Sequence, residues 1–310
     1  SLEEKEIKDY INLNNSYLAI RRIDFKIDND FSFEIDKKYK IKNFATNLII
    51  DLDNLILDNQ YGYINFFPKA KKNIKFQKHK VLVSYKKDLL DIKGSGDVFF
   101  QENEDKIKYL IKKTNKKINF DIKLNIFKNQ FNLDLLNFKK KDDSNLEINL
   151  IGKKIFDGIT IFEKVLLKEK SNILQIEKLL LTNNNKIKRI NKIELNFIDS
   201  EKIKNQISIS KKKKNYYLNG NSFNANKLID NFLKTDSKRN KNIFEDNFKL
   251  KLNIEKTYLD KINIVKNLEG YLVFKDNEIV DANIGSQFSN EKIIRFTITK
   301  NDKEKITTFF

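Results

Sequence analysis

The strongest constraint on this chain is an alternation of apolar and polar residues with a period of two. Between residues 118 and 126 every second residue is apolar, and the same pattern recurs at 193–197, 248–254 and 294–298. In a β-strand such a pattern places all the apolar side chains on one face, whereas a helix would distribute them around its circumference. The alternation therefore predicts strands that each have one apolar and one polar face.

Short polar segments separate these runs, as hairpin turns require. We predict turns between strands at Asp28–Asp30, at Lys275–Asn277 and at Lys211–Lys214. About twenty strands follow one another at a spacing typical of consecutive hairpins rather than of βαβ units. Helical spacing is clearest at 225–233, where Ser222 or Asn224 is the expected N-cap. The predicted fold class is all-β with minor helix, mainly antiparallel.

Composition limits the organisation of the chain. Its 310 residues contain no Met, and we expect them to be one segment, 1–310, of a longer protein. The most loop-like stretch, 234–242, predicts a subdivision near residue 240, into 1–240 and 241–310. No apolar run approaches the roughly 18 residues that a transmembrane helix needs.

The formal charge of +18 raises the question of a nucleic-acid partner. Lys greatly outnumbers Arg, although Arg is the residue that reads phosphates and bases best. We interpret most of the charge as solvated surface and expect no nucleic-acid partner. The segment Lys211–Lys214 followed by Tyr216 and Tyr217 leaves contact with lipid headgroups or RNA open.

A search for catalytic and metal-binding chemistry finds little. His79, the single histidine, lies between two lysines, and we predict a solvated residue at a turn. The chain has no Cys, and Gly94-Ser95-Gly96 is followed by a predicted strand rather than a helix, which favours a bulge or a strand entry over a phosphate cradle. We expect no enzyme, no cofactor and no metal.

Two segments carry a resemblance to a known family. The run Ile92 to Phe100, with the strand Ile118 to Phe127 after it, resembles the YhdP-like, AsmA-related envelope proteins of Gram-negative bacteria. The segment Tyr217 to Ile229 is similar to the strand–Gly–x–Ser–Phe–Asp–Ala element of that family, with Asn224 where Asp is usual. The resemblance implies a non-enzymatic, inner-membrane-anchored protein whose periplasmic part is an elongated, curved β-sheet. Its apolar groove would conduct phospholipid towards the outer membrane.

The residues themselves are consistent with such a groove. Too little helix is predicted to cover so many apolar strand faces, which leaves a sandwich, a barrel or a rolled sheet that holds acyl chains. A structural or adhesive β protein with a dry core and no cargo is the main alternative. The candidates for the lipid groove are the apolar residues of the alternating runs: Ile118, Phe120, Ile122, Leu124, Ile126, Phe131, Leu133, Leu135, Ile193, Leu195, Phe197, Leu250, Leu252, Ile254, Phe296 and Ile298.

Overall fold

The computed structural model describes residues 2–3, 20–58, 66–156, 158–233, 243–288, 290–300 and 305–309. Within them it confirms an all-β protein. The strands are β1 (Leu2–Glu3), β2 (Ile20–Ile35), β3 (Ile41–Asp58), β4 (Asn73–Lys86), β5 (Leu89–Phe99), β6 (Asp105–Lys113), β7 (Lys117–Ile126), β8 (Asn132–Leu133), β9 (Phe138–Lys139), β10 (Leu146–Ile155), β11 (Thr160–Glu169), β12 (Asn172–Leu181), β13 (Ile187–Ile198), β14 (Lys204–Lys212), β15 (Asn215–Asn224), β16 (Phe248–Tyr258), β17 (Ile264–Lys275), β18 (Glu278–Phe288), β19 (Ile293–Lys300) and β20 (Lys305–Phe309).

The chain divides into two compact units. Unit 1 comprises residues 1–132 and 140–156, and unit 2 comprises residues 133–139 and 157–310. The subdivision predicted near residue 240 falls at 234–242, which lies outside the described residues.

In unit 1, each strand from β1 to β7 pairs with the next one along the chain, and β10 pairs with β7. All of these pairs are antiparallel. Consecutive hairpins need only short turns, and two-residue turns of this kind place both central residues at positive φ. Lys87 and Asp88, between β4 and β5, both have positive φ, as a type I′ turn requires.

In unit 2, the strands from β11 to β20 also pair in chain order. One pair, β15 with β16, is parallel. The predicted sheet is mainly antiparallel, as observed, but at this one pair the spacing that favoured a hairpin over a βαβ unit was misleading. The crossover between these two strands contains the helix α1 (Asn226–Leu233). A parallel connection needs such a crossover because the chain must return to the same end of the sheet.

The predicted helix at 225–233 is therefore confirmed, as are the turn at Lys275–Asn277 and the turn at Lys211–Lys214. The turn predicted at Asp28–Asp30 is wrong, because β2 continues through these residues to Ile35. Their polar side chains suggested a loop, but in a strand polar residues also line the solvated face. The turn lies instead at 36–40.

Most of the buried core lies towards one end of the apolar face in each unit, although in unit 2 Ala282 and Ile298 are buried on the other side. In unit 1, Val98, Ile126 and Leu146 are fully inaccessible at this end. In unit 2, Phe138 and Phe197 are almost fully buried, and their rings meet edge to face at 5.7 Å. Away from these ends, the apolar side chains of most strands stay partly accessible.

Candidate functional site

The open part of the apolar face in unit 1 is a row of side chains that crosses seven strands. Strand pairing places its members directly opposite one another, and all but Gly94 remain at least partly accessible. Because side chains opposite each other in a ladder share a face, the row is continuous across the sheet of this unit. Its members are Ile27, Ile50, Val81, Gly94, Tyr109, Ile122 and Leu150.

Unit 2 has a longer row of the same kind, which crosses nine strands. Leu218 is its single buried member, and the others are half-buried. The row passes through the parallel pair without a change of face, because the two strands are in register there. Its members are Val165, Ile176, Ile193, Ile209, Leu218, Leu252, Gly270, Ile284 and Phe296.

The predicted groove residues fall into two groups in the structure. One group is buried: Ile126, Phe131, Leu195, Phe197, Ile254 and Ile298. All of these belong to the closed ends except Ile298, which lies opposite Ala282 on the other side of the row in unit 2. The other group is half-buried: Ile118, Phe120, Ile122, Leu124, Leu133, Ile193, Leu250, Leu252 and Phe296. All of these lie on the open faces or their margins except Leu133, which lies in the separate two-stranded sheet of β8 and β9. Sequence periodicity places both groups on apolar faces but does not tell covered residues from uncovered ones.

Leu135 was predicted to point inward from a strand, and this is wrong. It lies in a 3-10 turn, Asp134–Leu136, and its side chain is 57% exposed. The alternation of Phe131, Leu133 and Leu135 resembled a strand, but the turn that follows Leu133 breaks the period of two. A left-handed residue, Asn137, ends this turn.

The polar face that the alternation predicts for β7 would ordinarily be exposed to solvent. Asp121 is exposed, but Asn119, Lys123 and Asn125 are half-buried, about as accessible as the apolar residues between them. The strand pairs on both sides without a bulge, so the two sets lie on opposite faces throughout. In this strand the faces differ in chemistry rather than in accessibility.

Aromatic rings and loop amides close the end of the apolar face in unit 1. The rings of Phe67 and Phe100 stack at 4.5 Å, and Phe131 meets Phe67 edge to face at 5.5 Å. Below them, the Asn129 side chain donates to the Asp105 carboxylate at 2.8 Å and to the carbonyl of Asn103 at 2.7 Å. These contacts join the loop after β5 to the loop after β7.

Asp105 is fully inaccessible at this closed end. Burial raises the pKa of its carboxyl from 3.8 to about 6, although hydrogen bonds from Asn129 and the Phe127 amide and the Lys140 charge act in the opposite direction. A carboxylate loses hydration when it is buried, and the bonds it receives here restore only part of that loss. No feature of the sequence around Asp105 predicts this buried carboxyl group.

His79 is 2% exposed, so the prediction of a solvated histidine at a turn is wrong. It lies within β4 at a bulge, where Lys78 has positive φ and two residues oppose Gly96. Its Nε2 donates to the carbonyl oxygen of Asp97 at 2.9 Å. Burial lowers its pKa, because the protonated ring would lose hydration. The prediction that Gly94-Ser95-Gly96 forms a bulge or a strand entry is therefore wrong in position: the motif lies within β5, and the bulge lies in β4, opposite Gly96.

Both glycines of that motif lie beneath aromatic rings. A Cβ atom on Gly94 would lie 2.3 Å from the Tyr109 ring, and one on Gly96 would lie 2.2 Å from the His79 ring. Glycine lets each ring lie flat across the neighbouring strand. The motif therefore shapes the apolar face and forms no phosphate cradle.

Asn224 connects β15 to α1, as the sequence predicted. Its side-chain oxygen accepts from the Asn226 amide, and its NH₂ group donates to Asp199 and to Glu201, both at 2.8 Å. An aspartate here, as in the resembled element, would bring a third carboxylate to this buried cluster. The amide instead satisfies both neighbouring carboxylates.

The polar face of unit 1 holds a shallow depression of about 510 Å³. Four lysines line it together with Ser95, Asp121 and Asn149, and Leu82 and Leu110 add apolar surface. Lys123 is paired with Glu147 at 3.0 Å across the neighbouring strand. The lysines are Lys80, Lys93, Lys108 and Lys123, and we call this surface the lysine depression.

Among the described residues, no group of His, Cys, Asp and Glu could hold a metal ion, and no helix is long and apolar enough to cross a membrane. Comparisons of the chain with models of known protein families, with curated proteins and with solved structures find no match. The resemblance to the AsmA-related proteins therefore stays a prediction.

Proposed function

We propose that this protein is a non-enzymatic lipid-transfer module of the bacterial cell envelope, whose apolar sheet faces hold phospholipid acyl chains. The observation that carries the proposal is the pair of rows of apolar side chains that most strands leave partly accessible. A protein with a dry core would cover these rows, because each buried methylene contributes about 0.8 kcal/mol. In the proposal, an acyl chain supplies the missing cover.

The dimensions of the rows fit such a ligand. Neighbouring strands lie about 4.8 Å apart, so seven strands extend over roughly 29 Å. This is close to the ~30 Å hydrocarbon thickness of a bilayer, which holds two acyl chains end to end. A row can therefore accommodate one or two chains along its length, with no group dedicated to chemistry. A periplasmic location and transport along an elongated, curved groove follow from the resemblance as parts of the same proposal.

Charge substitutions test whether the faces are open. We expect Leu124→Asp and Leu252→Asp to reduce binding of a fluorescent phospholipid by tenfold or more, with a modest loss of stability. Both side chains are half-buried, so the new carboxylate keeps access to water while it repels the acyl chain. Asn253→Asp is the matched control, because Asn253 follows Leu252 on the opposite, exposed face.

A second contrast separates an open groove from a dry core. Ile254, in the closed end of unit 2, is 3% exposed, and Ile254→Asp should therefore unfold the protein. If Leu124→Asp and Leu252→Asp lose as much stability as Ile254→Asp, the dry-core alternative is favoured. If organic extracts of the purified protein contain no phospholipid by mass spectrometry and the variants bind lipid as the parent does, the groove is rejected.

The lysine depression favours a second candidate function, the binding of an anionic polymer such as nucleic acid. Its four lysines line one polar surface, opposite the apolar row of the same unit. Such binding would give retention on heparin that falls steeply with salt. Lys80→Ala combined with Lys108→Ala should then lower the salt concentration at which the protein elutes from heparin, whereas the lipid-transfer proposal expects lipid binding to persist in this variant.

A further inference from the structure

The hairpin of β2 and β3 extends beyond the rest of the sheet in unit 1. β4 pairs with β3 only as far as Ala45, so residues 33–44 have just each other as strand partners among the described residues. On one face of this extension Ile35 lies opposite Ile41, and both are at least 60% exposed. The exposed large apolar side chains of this face, which we call the hairpin tip, are Phe31, Phe33, Ile35, Ile41 and Phe44.

The turn that closes the hairpin tip is held by its own hydrogen bonds. The Asp36 carboxylate accepts from the amides of Lys38 at 2.8 Å and Lys40 at 3.0 Å, and pairs with the Lys42 ammonium at 3.1 Å. Tyr39 has positive φ and is 91% exposed. These bonds fix the turn so that the tyrosine points away from the sheet at its extremity.

The charges around the tip are unbalanced. Between residues 34 and 44 four lysines face two carboxylates, Glu34 and Asp36. In the part of the chain that the structure describes, Lys37, Lys38 and Lys40 have no ion pair. The tip thus combines exposed aliphatic and aromatic side chains, a terminal tyrosine and free ammonium groups.

We propose that the hairpin tip docks on the surface of an anionic lipid bilayer. Exposed apolar clusters of this kind mark interaction sites, and Tyr and Lys are favoured at the boundary between hydrocarbon and headgroups. Charge complementarity selects this occupant: the excess of lysine attracts anionic headgroups and repels the same tip of a second copy. Each lysine near such a surface increases partitioning about fivefold.

The docking site adjoins the apolar face but uses different residues. Phe44 lies 6.2 Å from Tyr85, ring to ring, and Tyr85 follows Val83 and Val81 along the apolar face of β4. The inference goes beyond lipid transfer, because vesicle binding by the tip does not require acyl chains to enter the groove. Leu252→Asp should therefore leave vesicle binding unchanged even where it abolishes lipid uptake.

The test is co-sedimentation of the full chain with vesicles of phosphatidylcholine alone or with 30% phosphatidylglycerol. We expect binding to the anionic vesicles to fall at least tenfold in Ile35→Ser with Ile41→Ser, and to a similar extent when Lys37, Lys38 and Lys40 are all changed to Glu. Ile293→Ser is the control, because that side chain is 70% exposed on β19 and lies outside the tip. Equal binding by the tip variants, or by neutral vesicles, would overturn the proposal.

The absence of Trp from the sequence allows a second measurement. Tyr39→Trp places a single indole at the extremity, and we expect its emission to shift to shorter wavelength and to be quenched by brominated lipid. Ile262→Trp, at an equally exposed loop position, should show neither change. If sedimentation velocity instead shows dimers that tip substitutions dissociate, or if the indole emission does not respond to vesicles, the bilayer is not the partner.

Discussion

The buried carboxyl group of Asp105 makes the stability of the protein depend on pH in an unusual direction. Its pKa is about 6 in the folded chain, against 3.8 for an unperturbed carboxyl. The folded state therefore binds a proton more tightly than the unfolded state between these two pH values. The stabilising contribution is fully present below about pH 4 and is lost as the pH rises through 6. Asp105→Asn removes this titration while it keeps the shape of the side chain.

The size of the effect follows from the two pKa values. At about 1.4 kcal/mol for each tenfold change in proton affinity, the full difference is roughly 3 kcal/mol. We expect the free energy of unfolding of the parent, measured relative to Asp105→Asn by urea titration, to fall by roughly 2–3 kcal/mol from pH 4 to pH 7. The comparison with the variant cancels the titration of all other groups.

Asp36 provides a control of opposite sign. Hydrogen bonds from the amides of Lys40 and Lys38 and from the Lys42 side chain lower its pKa. Its stabilising contribution is therefore present above its unfolded pKa and lost as the pH falls. The free energy of unfolding of the parent, measured relative to that of Asp36→Asn, should therefore increase as the pH rises. For Asp105, the free energy of unfolding of the parent relative to Asp105→Asn should fall as the pH rises. A constant or rising value would refute the account of the buried carboxyl group.

Three further predictions concern the apolar face and the helix start. Gly96→Ala should destabilise the protein by about 1–3 kcal/mol, because the new Cβ would lie 2.8 Å from the backbone of His79. Gly285→Ala is the control: open space surrounds that position, so the urea midpoint should change little. His79 should titrate below pH 6.5, and its neutral ring should carry the proton on Nε2. NMR of the single histidine can measure both properties, and a titration midpoint at or above pH 6.5 would contradict the burial of the ring. Asn224→Asp should cost roughly 1–3 kcal/mol at pH 7 beside Asp199, and unchanged thermal unfolding would count against the network.

The local sequence pattern determined most of the strands, the face on which each of their residues lies, and the start of the helix. The alternation from Ile118 to Ile126 specified a strand and assigned each residue to a face, because successive side chains in a strand point in opposite directions. The helical spacing after Ala225 and the amide of Asn224 specified where α1 begins. Each of these features depends on neighbours within a few residues, which a sequence displays directly.

Tertiary structure decided which of those residues are covered. Ile126 and Leu124 share a face and a strand, yet one is inaccessible and the other is not, because loops distant in sequence close one end of the sheet. His79 is buried because a bulge in β4 turns it towards Gly96. The lysines on either side of it in the sequence indicate an exposed turn instead. The exposure of the hairpin tip depends on where β4 ends relative to β3. Burial is set by the partners that a residue meets across the fold, and the period of its own strand contains no information about them.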